Sequence, residues 1–97
     1  MQHNYFVYTL TNYQKNVLYT GVTNDIERRF FEHKERKNSN SFTSKYKCFY
    51  LLYYERFQHI DHAIEREKEI KGWKRIKKEK LINELNPSWN FINDDIK

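Results

Sequence analysis

Two short runs rich in β-branched and aromatic residues, YFVYTLT at 5–11 and VLYTGVT at 17–23, flank a polar stretch containing YQKN. Strands this close in sequence pair locally, so the spacing predicts an antiparallel hairpin. The pattern then changes. Asn24 is a good N-cap and Glu27 stands three residues on, as a capping box requires, so a helix is expected from Asp25 to about Lys37. NSNSFTSKYK is polar and reads as a loop, whereas CFYLLYYERF reads as a third and central strand. Helices follow over Asp61–Lys71 and Lys74–Leu85, divided at Gly72, with Pro87 stopping the second. The tail FINDDIK is expected to be poorly ordered at its end. The order β-β-α-β-α-α places the chain in the α+β class, as a small three-stranded antiparallel sheet flanked by three helices.

With 97 residues, one domain over 1–97 is expected, with its core at about 4–89. Apolar residues make up 38% of the chain and aromatic residues 18%, so the core has to be built from Tyr, Phe and Trp as well as Ile and Leu. The formal net charge of +5 suits a polyanionic partner. No apolar stretch is long enough to span a bilayer, and MQHNYFVYTL lacks the charged start of a signal peptide, so a cytoplasmic location is expected. The lone Cys48 cannot form an internal disulfide and reads as a small buried filler; no Cys/His cluster suggests zinc.

Several polar residues fall where apolar ones belong. In the helix over 61–71, Ile60, Ala63, Ile64 and Ile70 form one arc, and Glu67 lies in its middle. In the first helix, Ile26, Phe30 and His33 share a face, with Arg29 alongside. Tyr8 and Tyr19 lie on opposing strands and can face one place. Gly21 inside a strand signals a bulge or the close approach of a ligand or backbone. A buried carboxylate is costly unless it is paired or holds a cation. Each residue alone has an ordinary structural explanation, including an Arg29–Glu67 ion pair. Their joint appearance points to a site, because such groups cluster where function is. They also match the needs of phosphodiester hydrolysis: a guanidinium fork for phosphate, one carboxylate for Mg²⁺, and a Tyr or His to take a proton.

The ordered set FVYTL, LYTG with its tyrosine eleven positions after Tyr8, ERRFFEH and IERE resembles the GIY-YIG nuclease superfamily, from Tyr5 to about Trp89. KKEKLINELNPSW is similar to the end of its small stand-alone bacterial members. The resemblance implies metal-dependent cleavage of DNA with one Mg²⁺ or Mn²⁺ ion, structure-selective and serving repair or recombination. It assigns catalytic roles to Tyr8, Tyr19, Arg29, His33 and Glu67, with Glu67 on the metal and Gly21 and Asn86 in support. Tyr8 is the preferred base, with Tyr19 and His33 ordering the water. The chain reads FVY and YTG at the two namesake motifs, which leaves the substrate open. Lys45, Lys71, Lys74, Arg75, Lys77 and Lys78 are expected to contact phosphates, giving salt-sensitive binding to DNA, or alternatively RNA. Tyr46 and Trp73 are candidates for base stacking, although a tryptophan placed as Trp73 is more often a core anchor between helices. No small-molecule cofactor or membrane partner is expected. The rival reading is a non-catalytic nucleic-acid-binding module that uses the same basic surface.

Overall fold

A computed structural model describes residues 4–29 and 42–95. Strands β1 (Tyr5–Thr11) and β2 (Leu18–Thr23) form the expected hairpin, and β3 (Tyr50–Phe57) completes an antiparallel sheet in the order β2-β1-β3. The central strand is therefore β1 and not, as expected, β3. Its burial explains why: Val7 to Thr11 are buried at every position, which requires cover on both faces and neighbours on both edges. Val7 packs in one apolar cluster with Ala63, Ile70 and Ile82, whereas Tyr8 and Leu10 pack in another with Ile26, Cys48 and Leu51. Alternation along the strand assigns these clusters to opposite faces. Thr9 and Thr20 join across the hairpin through their hydroxyls at 3.2 Å. A bulge opposite Thr9 and Leu10 inserts Leu52 between their partners Tyr53 and Leu51.

The hairpin loop is built around Asn12. Its Oδ1 accepts from the backbone N–H groups of Asn16 and Val17 at 3.0 and 3.2 Å, and its Nδ2 donates to Asn16 Oδ1 at 2.6 Å. Helix α1 begins at residue 26 and is described to residue 29. Its cap is Asp25 and not Asn24: Asp25 Oδ1 accepts the Arg28 N–H at 3.0 Å, and Thr23 Oγ1 accepts the Asp25 N–H at 3.1 Å. With Arg28 at the third helical position, no capping box forms. The expected extension to Lys37 lies outside the described residues.

The segment read as a loop contains a short helix, α2 (Phe42–Tyr46), whose polar middle concealed it. Phe42 and Tyr46, one turn apart, meet with ring centroids 4.5 Å apart, and Thr43 between them is buried. Helices α3 (Ile60–Lys71) and α4 (Arg75–Leu85) agree with expectation within a residue. The break at Gly72 needs no left-handed backbone, since its φ is −78°; the chain becomes extended at Lys74 instead.

The tail is docked as far as Asp95. Ile92 N–H donates to Leu51 C=O at 2.8 Å, and Asn93 brackets β3 through Leu51 N–H and Phe49 C=O before a 3₁₀ turn at Asn93–Asp95. Stacking of Phe91 on Tyr50, 4.3 Å between centroids, secures this contact. The tail thus covers part of a sheet edge that would otherwise present unpaired backbone groups. Among the described residues, no helix is long and apolar enough to cross a membrane.

Candidate active site

The hairpin register pairs Tyr8 with Gly21 and Leu10 with Tyr19, so Tyr8, Tyr19 and Gly21 share one face. The two phenol rings lie 6.3 Å apart at 47°. A Cβ on Gly21 would stand 2.5 Å from Tyr8 Oη and 3.2 Å from Tyr19 Cε1. No bulge interrupts the β1–β2 register at this glycine; the group that comes close is a side chain and not backbone, the Tyr8 phenol passing directly over it. Tyr8 is 2% exposed, whereas Tyr19 is half-buried.

Helix α3 seats Ala63 and Ile70 on the sheet. Glu67 lies four residues after one and three before the other, so it faces the same way, and its side chain is only 12% exposed. Ile60, at the start of the arc, is instead exposed. Lys71, one turn on, places Nζ 2.8 Å from Glu67 Oε1 and 5.7 Å from the centre of the Tyr19 ring. The acid and the tyrosine pair are therefore joined through one ammonium group. The neighbouring Arg66 anchors the helix: Nε and Nη2 each donate to Glu55 Oε2 of β3, at 3.2 and 3.0 Å, and Nη1 donates to Glu69. The hydrogen bond with Glu55 raises the affinity of Arg66 for its proton.

Arg29 lies on an open cleft of about 400 Å³, between Arg28 and Arg29 on one wall and Ile60 and Ile64 of α3 on the other, with Tyr5 and Val22 between them. Tyr5 and Val22 belong to the face of the sheet that carries Val7, so the cleft opens on the α3 side, and neither Glu67 nor the tyrosine pair lines it. Arg29 is exposed and forms no ion pair among the described residues. The Arg29–Glu67 pair considered from sequence is not formed; Lys71 takes that place. His33 lies outside the described residues. No group of three metal-ligating side chains occurs among the described residues.

The six basic candidates have different environments. Arg75 is tied to Glu79 at 2.8 Å and donates to the carbonyls of Asn16 and Lys15, which fastens α4 to the hairpin loop. Lys77 Nζ lies 4.4 Å from the centre of the Trp73 ring, with Arg66 also beside that ring, so Trp73 is a packed anchor. Lys74 is exposed, Lys78 half-buried, and Lys45 stands over Tyr46 at 5.4 Å. Asn86 ends α4 and is buried. Its Nδ2 donates to Leu52 C=O and Asn90 C=O, while its Oδ1 accepts from Asn90 N–H, so its side chain holds the chain end to β3. Phe42 was not foreseen. It stacks on Tyr19 at 5.7 Å and 26°, and the only local signal was its four-residue spacing from Tyr46.

Residues 4–80 match the model of the GIY-YIG catalytic domain. A UPF0213 protein of Natronomonas pharaonis is 37% identical over 82 residues, covering 84% of this chain and 94% of that one. A second, from Staphylococcus saprophyticus, is 40% identical over 67 residues, covering 69% and 80%. The solution structure of a UPF0213 protein from Bacillus halodurans superposes with a TM-score of 0.60 at 29% identity, covering 93% of this chain and 94% of that one.

Proposed function

Because the chain belongs to the GIY-YIG family, we propose that it is a metal-dependent endonuclease that hydrolyses phosphodiester bonds in DNA. The observation that carries this reading is the link from Glu67 through Lys71 to Tyr19 and on to Tyr8; Arg29 lines an open cleft and forms no ion pair among the described residues.

Each side chain has a task. Arg29 presents a guanidinium fork to a phosphate in the cleft. Tyr8 and Tyr19 place two phenols side by side, where one accepts the proton of the attacking water and the other orients it. Tyr8 stays the preferred base, and His33 the third group around the water. Glu67 is the residue to hold one Mg²⁺ or Mn²⁺. A lone carboxylate fits Mg²⁺, which keeps several waters and takes substrate oxygens as further ligands. Bound there, the ion would supply charge stabilisation for the leaving oxygen. Lys71 competes for the same carboxylate, so its ammonium is available to phosphate once Glu67 has another partner.

The first turn of α4 contains Arg75, Lys77 and Lys78 and no acid. Cations at the positive end of a helix cost stability, and a polyanion relieves that cost. Contacts of this kind position nucleic acid without reading its sequence. The selectivity such a surface supports is therefore for DNA structure, in keeping with a role in repair or recombination in the cytoplasm.

The test is cleavage of branched, nicked, single-stranded and duplex DNA, with RNA counterparts, in Mg²⁺ or Mn²⁺. Glu67→Gln and Arg29→Ala are each expected to lose about a hundredfold or more in rate while still folding. Equal cutting by wild type and Glu67→Gln would remove the claim. The closed Glu67–Lys71 pair favours the rival reading, a binding module without turnover. That reading requires salt-sensitive binding, indifferent to chelator, and no metal-dependent cleavage.

A further inference from the structure

We propose that Tyr19, Phe42 and Tyr46 form a stacking platform for unpaired nucleobases, so that the nucleic acid entering the site is single-stranded where it meets α2. This assigns a substrate class to the site above and takes its position relative to the cleavage chemistry from that reading.

Phe42 and Tyr46 are 44% and 42% exposed, a large apolar surface for a helix of five residues. So short a helix does not persist on its own propensity. Here it is held by Phe42 on Tyr19, by buried Thr43, and by the Cys48 N–H donating to Thr43 C=O at 2.9 Å. The rings form a continuous ladder. Tyr8 meets Tyr19 at 6.3 Å, Tyr19 stacks on Phe42 at 5.7 Å, and Phe42 meets Tyr46 at 4.5 Å. One end is buried beside the proposed water-activating phenols and the other faces solvent. Cations flank both ends: Lys71 Nζ beside the Tyr19 ring and Lys45 Nζ over the Tyr46 ring.

Exposed aromatic rings flanked by cations suit single-stranded nucleic acid, because bases stack on the rings while ammonium groups meet the backbone. A duplex keeps its base faces stacked inside and offers them to no ring. Among the described residues the other exposed aromatic, Tyr13, is explained differently: it packs on Tyr50 and Phe91 where the tail docks. Among the described residues, the α2 ladder is the one that leads to the tyrosine pair.

The experiment is fluorescence anisotropy of the full chain in EDTA, with labelled single-stranded DNA, single-stranded RNA and duplex DNA of one sequence. Single strands are expected to bind roughly tenfold or more tightly than duplex. Phe42→Ala and Tyr46→Ala should each weaken single-strand binding by about fivefold or more, leaving duplex binding in place, and Phe42→Trp should retain it. Tyr46→Ala leaves the Phe42–Tyr19 contact intact and so tests the platform without unseating α2. Equal affinity for duplex and single strand, or unchanged binding in both alanine variants, overturns the proposal. Binding of RNA but not DNA supports the platform and overturns DNA as the substrate. Intact single-strand binding with no cleavage in any metal supports the platform and rejects the nuclease reading alone.

Discussion

At the residue scale, Gly21 shows how one missing side chain makes room for a pair of phenols. A methyl group there would overlap Tyr8 Oη and Cζ, at 2.5 and 2.6 Å. Gly21→Ala should therefore cost about 1–3 kcal/mol in urea unfolding and displace Tyr8. In combination with Tyr8→Ala the loss should be less than the sum of the two, because the clash has lost its partner. Cys48 is the opposite case, a residue whose chemistry is suppressed by packing. It is fully buried, and burial pushes its thiol from 9.0 up to about 11. The unfolded chain therefore gives up this proton first as pH rises. The contribution of Cys48 to stability is complete below about pH 9 and is lost as pH climbs towards about 11. Alkylation of the native protein at pH 8 should be slow and become fast on denaturation. Rapid native labelling would show that the thiol is not sealed.

At the element scale, α1 tests how a helix start is chosen. Asn24 and Asp25 are both good caps in isolation. Asp25 is selected because Thr23, the last residue of β2, bonds the Asp25 N–H and orients the Asp25 side chain onto Arg28. Asp25→Ala should cost about 1 kcal/mol, whereas Asn24→Ala should be nearly neutral; comparing the two melting curves decides it. The same helix carries Arg29, so loss of the cap should also weaken phosphate binding. Helix α3 was legible in nearly full detail, because Ala63, Ile70 and Glu67 keep a simple helical period. Helix α2 was not. Its five residues carry no amphipathic pattern, and it exists because Tyr19, distant in sequence, offers a ring to Phe42.

At the scale of the whole molecule, the docked tail covers part of the outer edge of β3. Removing residues 91–97 should lower the melting temperature and promote self-association, seen as a concentration-dependent hydrodynamic radius, because that stretch of edge is left with unpaired backbone groups. A truncated chain that stayed monomeric and equally stable would refute this role. The sequence by itself determined the α+β class, the hairpin and the helices after β3, and singled out Tyr8, Tyr19, Arg29 and Glu67 as candidates. These follow from short-range periodicity and from residue types that sit badly on an apolar face. Tertiary structure alone decided that β1 is the central strand, that Asp25 and not Asn24 caps α1, that Ile92 and Asn93 dock on β3, and that Lys71 stands between Glu67 and Tyr19. Each of these depends on which distant segment supplies a partner, and local spacing carries no record of that choice.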